Sequence, residues 1–313
     1  MKLIRGLADL PAELRSGAVA IGNFDGVHRG HARIVERLVA HARAVTGPAI
    51  VLTFDPHPVR ILRPDKAPPP LTWTDRKAQL LSELGVDSTV VLATDEALLD
   101  LTADEFFAQI VRGRLDAKAL VEGPNFYFGR GRQGTIDVLR TMTAAAGIEL
   151  EVVEPYVLDG ELVSSSRVRS LIAAGDVDRA RSMLTHPYRI RGMVAHGAGR
   201  GGKLGFPTAN VEAIDTLLPA AGVYAGVGLA AAGTWPAAIN IGPNPTFGEH
   251  VLKVEAHLIG CHEPLYGQPL EIDFLSRIRE VRTFSGVEAL KQQLHDDVAN
   301  AARIAGDWLR ASG

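Results

Sequence analysis

The sequence predicts an α/β domain with a parallel sheet, followed by a small six-stranded antiparallel β-barrel and a C-terminal helix. From residue 18 to about residue 155, short apolar runs alternate with helical patterns, which is typical of β-α-β units. After a break at His186-Pro187, six strand-like runs follow one another without intervening helices, and this favours a closed antiparallel barrel. We therefore predict two domains, residues 1–185 and residues 186–313.

The first domain contains signals for strands and helices in alternation. Apolar residues at helical spacing from Ile34 to Val45 predict a helix, which Gly47-Pro48 ends. Thr102 and Glu105 have the spacing of a capping box at the start of another helix. The prolines at 68–70 exclude a regular helix or a central strand at that point. The strands are predicted at residues 18–21, 49–54, 88–93, 118–121 and 149–153.

Two short helices are predicted after the last strand of the sheet, and the pattern then changes to strands. The serines at 164–166 can cap a helix that Gly175 ends, and Asp176 can cap the next one. A stripe of apolar residues from Val287 to Trp308 fits one long helix packed on the barrel. The barrel strands are predicted at residues 188–195, 207–211, 223–229, 237–241, 253–259 and 270–275.

Composition restricts the partners and the compartment. Of 313 residues, 46% are hydrophobic and 22% are charged, which suits ordinary packed cores. The formal net charge is −3, so we expect neither nucleic acid nor a membrane as partner. The single cysteine, Cys261, excludes an internal disulfide and a multi-cysteine zinc site. Without a signal-peptide pattern or a long apolar segment, we expect a cytoplasmic protein, either a monomer or a weak homo-oligomer.

Residues 22–31 read Gly-Asn-Phe-Asp-Gly-Val-His-Arg-Gly-His and join the first strand to a helix. A helix start offers unpaired N–H groups and a positive dipole end, so with His28 and His31 it can hold an anionic phosphate chain. Gly22 and Gly30 would let the backbone approach the phosphates. The alternative is a glycine-rich turn whose two histidines lie on the surface.

This ten-residue run resembles the signature of nucleotidyltransferases with a His-x-Gly-His motif, in the form found in bacterial FAD synthetases. The resemblance implies that His28 and His31 contact ATP phosphates. It also implies that Gly22 and Phe24 shape the adenosine end and that Gly30 lies at the phosphates.

Two further stretches follow the strands of the same domain. His57 and Pro58 come after the second strand, where parallel sheets bind ligands, and they are candidates for contact with the flavin substrate. A structural role for His57 in this proline-rich turn is the alternative. Residues 123–129 resemble the family's Gly-x-Asp-Phe-x-Phe-Gly, with Phe128 as a pocket residue. Asn125 replaces the acid, so this position offers a carbonyl oxygen but no charge.

A fourth stretch, Ser-Ser-Ser-Arg-Val-Arg at 164–169, resembles the family's Ser-Ser-Thr-x-Ile-Arg. The resemblance implies that Ser164, Ser165 and Arg169 bind the pyrophosphate end of ATP at a helix start. A plain helix cap followed by solvated arginines is the alternative for this stretch taken alone.

In the second half, residues 197–202 fit the dinucleotide pattern Gly-x-Gly-x-x-Gly, but a turn and a strand are predicted next rather than a helix. The following Leu-Gly-Phe-Pro-Thr-Ala-Asn, 204–210, resembles the riboflavin kinase signature. On a strand Thr208 and Asn210 share a face, so their oxygens can hold Mg²⁺. The resemblance implies that the preceding segment contacts ATP phosphates through Gly199, Gly201, Lys203 and Gly205.

Residues 222–225, 240–247 and 254–257 also match the order of motifs in the kinase family. Glu255 is the predicted general base for the flavin's ribityl 5′-hydroxyl. Glu271 and Asp273 on the next strand are its rivals. Thr246 and Phe247 are predicted to shape the flavin pocket.

Taken together, the chain resembles the bacterial bifunctional riboflavin kinase/FAD synthetase family over nearly its whole length. This implies a Rossmann-like nucleotidyltransferase domain before a riboflavin kinase-like barrel. The small-molecule substrates would be riboflavin, FMN and ATP, with Mg²⁺ as cofactor and FMN and FAD as products. Two alternatives remain: an adenylyltransferase that uses another acceptor, and a flavin-binding regulator or carrier without catalysis.

Overall fold

The computed structural model describes residues 2–8, 10–197, 202, 204–243 and 253–312. The chain divides into two compact units. The first contains Met1–Pro68 and Trp73–Ser164, and the second contains Pro69–Thr72 and Ser165–Gly313. The domain limits 1–185 and 186–313 stay predictions.

The first unit is built on a six-stranded sheet in which every neighbouring pair is parallel. The strand order is β1-β4-β3-β2-β5-β6. From β2 the chain adds β3 and β4 on one side, and it then crosses to the other side of β2 to add β5 and β6. Open α/β sheets bind ligands at such a switch point, beyond the carboxyl ends of the strands. The strands are β1 (Lys2–Arg5), β2 (Ala18–Ile21), β3 (Ala49–Asp55), β4 (Ser88–Ala93), β5 (Ala119–Glu122) and β6 (Glu149–Val152).

Both faces of this sheet are buried, which explains why its central strands consist mostly of apolar residues. Side chains alternate between the faces, so Val19 and Ile21 join one apolar cluster while Ala18 and Ala20 join another. The helices of the first unit are α1 (Arg29–Ala44), α2 (Pro58–Leu62), α3 (Thr74–Glu83), α4 (Glu96–Asp100), α5 (Ala103–Phe106) and α6 (Ile136–Ala146).

The predicted capping box at the start of α5 is confirmed. The Thr102 amide donates to Glu105 Oε2 over 2.8 Å, and the Glu105 amide donates to Thr102 Oγ1 over 3.2 Å. A π-helical segment, Phe107–Arg114, continues this helix. The first unit also contains a short antiparallel hairpin, β7 (Val157–Leu158) with β8 (Glu161–Leu162).

The second unit begins with α7 (Ser165–Ala174) and α8 (Val177–Met183), as the caps predict. Gly175 between them has a positive φ of 79°, and the Asp176 side chain accepts a hydrogen bond from the Arg179 amide. Six antiparallel strands then close a barrel in the order β10-β13-β12-β11-β14-β9, which confirms the predicted fold. They are β9 (Tyr188–Ala195), β10 (Ala209–Glu212), β11 (Gly222–Ala230), β12 (Gly233–Gly242), β13 (Lys253–Leu258) and β14 (Pro269–Arg279).

The predicted C-terminal helix is α9 (Val287–Ser312), and it packs on β11, β12 and β14. Ala305 and Trp308 from its apolar stripe contact a small cluster that includes Val227. The Arg279 guanidinium binds the buried Asp297 carboxylate through two nitrogens, at 3.0 and 2.6 Å. Among the helices described, none is long and apolar enough to span a lipid bilayer.

Candidate functional site

A cavity of about 640 Å³ opens in the first unit at the switch point of the sheet. The segments after β2 and β5 form its walls, and its volume is within the range of small-molecule sites. Ten residues predicted for the nucleotidyl transfer site line this one cavity: Gly22, Phe24, His28, Gly30, His31, His57, Pro58, Asn125, Phe128 and Ser164.

The two motif histidines lie together at the start of α1. His28 is the N-cap residue, and its Nδ1 accepts a hydrogen bond from the His31 amide over 3.2 Å. The two imidazole rings stack with centroids 3.6 Å apart. A Cβ at Gly30 would lie 3.1 Å from the His28 ring, which is closer than ordinary van der Waals contact. The helix start therefore presents two parallel imidazoles to the cavity.

Two buried polar atoms on this wall have no hydrogen-bond partner within the described part of the chain, namely His31 Nδ1 and Asn23 Oδ1. Buried polar atoms are normally paired, so both are available to a ligand in the cavity. Burial lowers the pKa of His31 well below its usual value, and the nearby His28 and Lys77 lower it further. His31 is thus neutral at pH 7 before an anion binds.

A buried lysine that sequence reasoning missed lies close to this pair. Lys77 on α3 is 7% exposed, and its Nζ lies 3.4 Å from Thr53 Oγ1. Burial lowers the pKa of Lys77, while the negative charges of Asp25 and Asp55 oppose that shift. An amphipathic helix gives no sequence signal that one of its lysines points inward, so this residue could be found only in the structure.

The other predicted residues of this site have varied surroundings. His57 caps α2, with its Nδ1 accepting a hydrogen bond from the Val59 amide over 3.1 Å, and also lines the cavity. Ser165 and Arg169 belong to the second unit, where the Arg169 Nε donates to the Pro69 carbonyl over 3.0 Å. Their contact with pyrophosphate stays a prediction.

A second residue missed from the sequence is Glu122, the last residue of β5, which lines the cavity and is 3% exposed. Its Oε1 accepts a hydrogen bond from the Ile21 amide over 2.8 Å. Burial raises the pKa of Glu122 well above its usual value, and the hydrogen bond from Ile21 only partly opposes this. The available signal was a carboxylate at the carboxyl end of a buried strand, immediately before Gly123.

In the second unit, the predicted kinase residues lie on adjacent barrel strands. Glu255 on β13 pairs in register with Asn210 on β10 and with Asn240 on β12. Directly opposed residues of neighbouring strands project from the same face, so the three side chains form one row. The Asn240 Nδ2 lies 3.5 Å from Glu255 Oε2. The Asn210 amide packs against Gly197, where a Cβ would come within 2.0 Å of Nδ2.

The segment that precedes Asn210 is held by two aromatic contacts and a hydrogen bond. The buried Phe206 packs edge-on against His257 and His295, with ring centroids 5.8 and 4.9 Å apart. The His257 Nδ1 lies 2.7 Å from the Pro207 carbonyl oxygen and therefore donates to it. Thr208, half-buried, follows directly, and Gly205 takes a positive φ of 91° in the turn before it.

The two rivals of Glu255 are engaged elsewhere. Arg189 donates from Nε to Asp273 over 2.6 Å and from Nη1 to Glu271 over 2.7 Å. Both carboxylates therefore serve an ion-pair network on β14 and β9. The remaining predicted kinase residues lie outside the described residues: Gly199, Gly201, Lys203, Thr246 and Phe247.

Comparisons with known proteins agree with this division. A family model described as FAD synthetase matches residues 10–167, and one described as riboflavin kinase matches residues 184–305. A bifunctional riboflavin kinase/FMN adenylyltransferase from Pseudomonas fluorescens is 38% identical and is aligned over 97% of this chain and 98% of its own length. The chain belongs to the bifunctional riboflavin kinase/FMN adenylyltransferase family. The resemblance seen in the sequence is thereby confirmed.

Further relatives extend over the same length. The bifunctional riboflavin kinase/FMN adenylyltransferase of Escherichia coli K12 is 35% identical, over 98% of both chains. A crystal structure of a Streptococcus pneumoniae protein described as a macrolide-efflux protein matches 97% of this chain and 99% of its own with a TM-score of 0.86 and 29% identity. A chain of similar fold is therefore known from a crystal structure.

Proposed function

We propose that this chain phosphorylates riboflavin to FMN in its second unit and adenylylates FMN to FAD in its first. The observation that carries the proposal is that a FAD synthetase match and a riboflavin kinase match fall on separate units of one chain. ATP is the co-substrate of both reactions. An adenylyltransferase with another acceptor would leave the kinase unit without a role.

In the first unit, a phosphate oxygen of FMN attacks the α-phosphorus of ATP, and the bond to the β-phosphate oxygen breaks to release pyrophosphate. This transfer needs alignment and charge stabilisation rather than a protein nucleophile. His28 and His31, at the start of α1, would bind the ATP phosphates, and the unpaired His31 Nδ1 supports this assignment. Asn125, which lines the same cavity, would orient the phosphates through its amide.

In the second unit, the ribityl 5′-hydroxyl attacks the γ-phosphorus of ATP, ADP leaves, and Glu255 accepts the hydroxyl proton. The row formed by Asn210, Glu255 and Asn240 supports this role because it places the carboxylate between two amides. Thr208 and Asn210 provide neutral oxygens beside one carboxylate, a donor set that suits Mg²⁺, which prefers few protein ligands together with phosphate oxygens. When bound there, Mg²⁺ would neutralise charge on the phosphates of ATP.

One assay separates the possible outcomes. The protein is incubated with riboflavin, ATP and Mg²⁺, and FMN and FAD are followed separately by chromatography. If no FMN forms, the proposed kinase activity is refuted. If FMN forms but FAD does not, the proposed adenylyltransferase activity is refuted. A flavin carrier without catalysis would form neither product.

Two variants test the division of labour between the units. A protein carrying both His28→Ala and His31→Ala should lose FAD formation and keep FMN formation, whereas equal loss of both activities would contradict the assignment. The Glu255→Gln protein should lose FMN formation from riboflavin but keep FAD formation when FMN is supplied, and near-normal riboflavin phosphorylation would exclude Glu255 as the base. The cytoplasmic location and the monomeric or weakly oligomeric state are part of this proposal.

A further inference from the structure

Glu122 is a buried acid in the wall of the first unit's cavity that the proposed reactions leave without a role. It ends β5 directly beside the end of β2, at the switch point of the sheet. One carboxyl oxygen is fixed by the Ile21 amide, 2.8 Å away. The residue is 3% exposed but lines the cavity, so a bound ligand can reach its carboxyl group.

Within the described part of the chain, no basic side chain lies within ion-pair distance of this carboxyl group. A buried carboxylate with only one hydrogen bond is strongly disfavoured relative to the neutral acid. The titratable or charged side chains that line the same cavity are His28 and His31 at α1, His57 at α2, Tyr127 and Arg132 after β5, and Glu154 and Tyr156 after β6.

The protonation state of Glu122 determines what it can do to a nucleotide. As a neutral acid it donates one O–H hydrogen bond, which a phosphate, ribose or purine acceptor can receive. As a carboxylate it has no donor, and its charge repels the phosphates of ATP. Burial raises the pKa of Glu122 well above its usual value, which favours the donor form in the empty cavity.

We propose that Glu122 binds ATP in the adenylyl transfer site as a neutral carboxylic acid, by donating a hydrogen bond to the nucleotide. The inference rests on the proposed adenylylation of FMN in the first unit. It makes Glu122 a nucleotide-binding residue whose ionisation weakens ATP binding in this reaction, while the kinase reaction on the same chain is unaffected.

The test compares the KM for ATP in FAD formation from supplied FMN, across a pH series, in wild type and in the Glu122→Gln protein. Gln keeps the shape and a donor at every pH. In wild type the KM should rise by up to about tenfold per pH unit once the acid ionises. In Glu122→Gln this part of the rise should be absent, and the histidines should contribute equally to both profiles. Identical profiles in the two proteins would overturn the proposal.

A second variant isolates the hydrogen bond. Glu122→Leu removes the donor, so the KM for ATP in FAD formation should be about 2- to 10-fold higher than wild type where Glu122 is protonated, and higher than Glu122→Gln at every pH. An unchanged KM in this protein would also overturn the proposal. The KM for ATP in FMN formation is measured on the same samples and should stay constant, and a thermal unfolding scan verifies that the first unit is folded. A wild-type protein that forms no FAD would instead refute the proposed adenylyltransferase, so the two failures are distinguishable.

Discussion

Substitution of Gly197 by alanine should impair the kinase reaction selectively. The added methyl group would lie 2.0 Å from Asn210 Nδ2 and 2.6 Å from its Cγ. To reach ordinary van der Waals contact the amide must move away by about 1.4 Å. Gly197 has no positive φ that alanine would strain, so the effect falls on the Asn210 side chain. A misplacement of about 1 Å at a reacting centre can lower the rate about 100-fold.

The measurement is kcat/KM for riboflavin phosphorylation, with FAD formation from supplied FMN assayed in parallel. We expect a drop of about 100-fold in the first and no change in the second, because the amide proposed to bind Mg²⁺ is displaced in the barrel alone. Gly286→Ala is the matched control, since a Cβ there meets no atom within 4 Å. Kinase activity equal to that of Gly286→Ala would refute the reasoning. A matching loss of FAD formation would indicate a general folding defect.

Three further predictions concern stability. Asp297→Ala leaves the partly buried Arg279 guanidinium, 18% exposed, without its buried carboxylate and should lower the free energy of unfolding by about 1.5–3 kcal/mol in denaturant titrations. The exposed Asp307→Ala should change it by less than about 1 kcal/mol, and equal effects would contradict the burial argument. Thr102→Ala removes the capping box of α5 and should cost about 1 kcal/mol, while Thr102→Ser should restore most of it. Glu122 keeps its proton to higher pH when folded, so its stabilising contribution is present below its ordinary pKa of 4.5 and is lost as pH rises through the folded pKa. Because Gln does not titrate, the stability of Glu122→Gln should increase relative to that of wild type as the pH rises above 4.5, and a difference that stays constant with pH would refute this.

Local signals in the sequence were reliable where the interactions are local. The Thr102 capping box, the Gly175 helix end and the Asp176 cap all involve residues at most three apart, so their spacing fixes the hydrogen bonds. The apolar stripe from Val287 to Trp308 predicted one helix because its period matches the helical repeat.

The strand β1 was not predicted because its pairing partner is remote in the sequence. β1 contains two charged residues in four, and its pattern resembles a polar terminus. It is a strand because it pairs in parallel with β4, with Lys2 opposite Ser88. Strand pairing across more than 80 residues is not encoded in the local pattern, since edge strands need be neither apolar nor alternating.

For the sites, the sequence determined which residue types stand at the ends of strands and helices. The motif from Gly22 to His31 and the Pro-Thr-Ala-Asn segment before β10 were sufficient to indicate the family, since each run is long and each couples a turn to chemically competent side chains. The net charge followed from composition, and the division into two activities followed from motif order.

Only the tertiary structure decided which groups face a ligand and which are neutralised by neighbours. The strand order places Glu122 beside Ile21, so that an acid that the sequence does not distinguish from a surface acid becomes a buried residue in the wall of the cavity. Arg189 likewise pairs with Glu271 and Asp273, while Glu255 lies in register between two asparagines. Burial and charge pairing depend on residues distant in the chain, and for that reason the roles of these acids could not be assigned from the sequence.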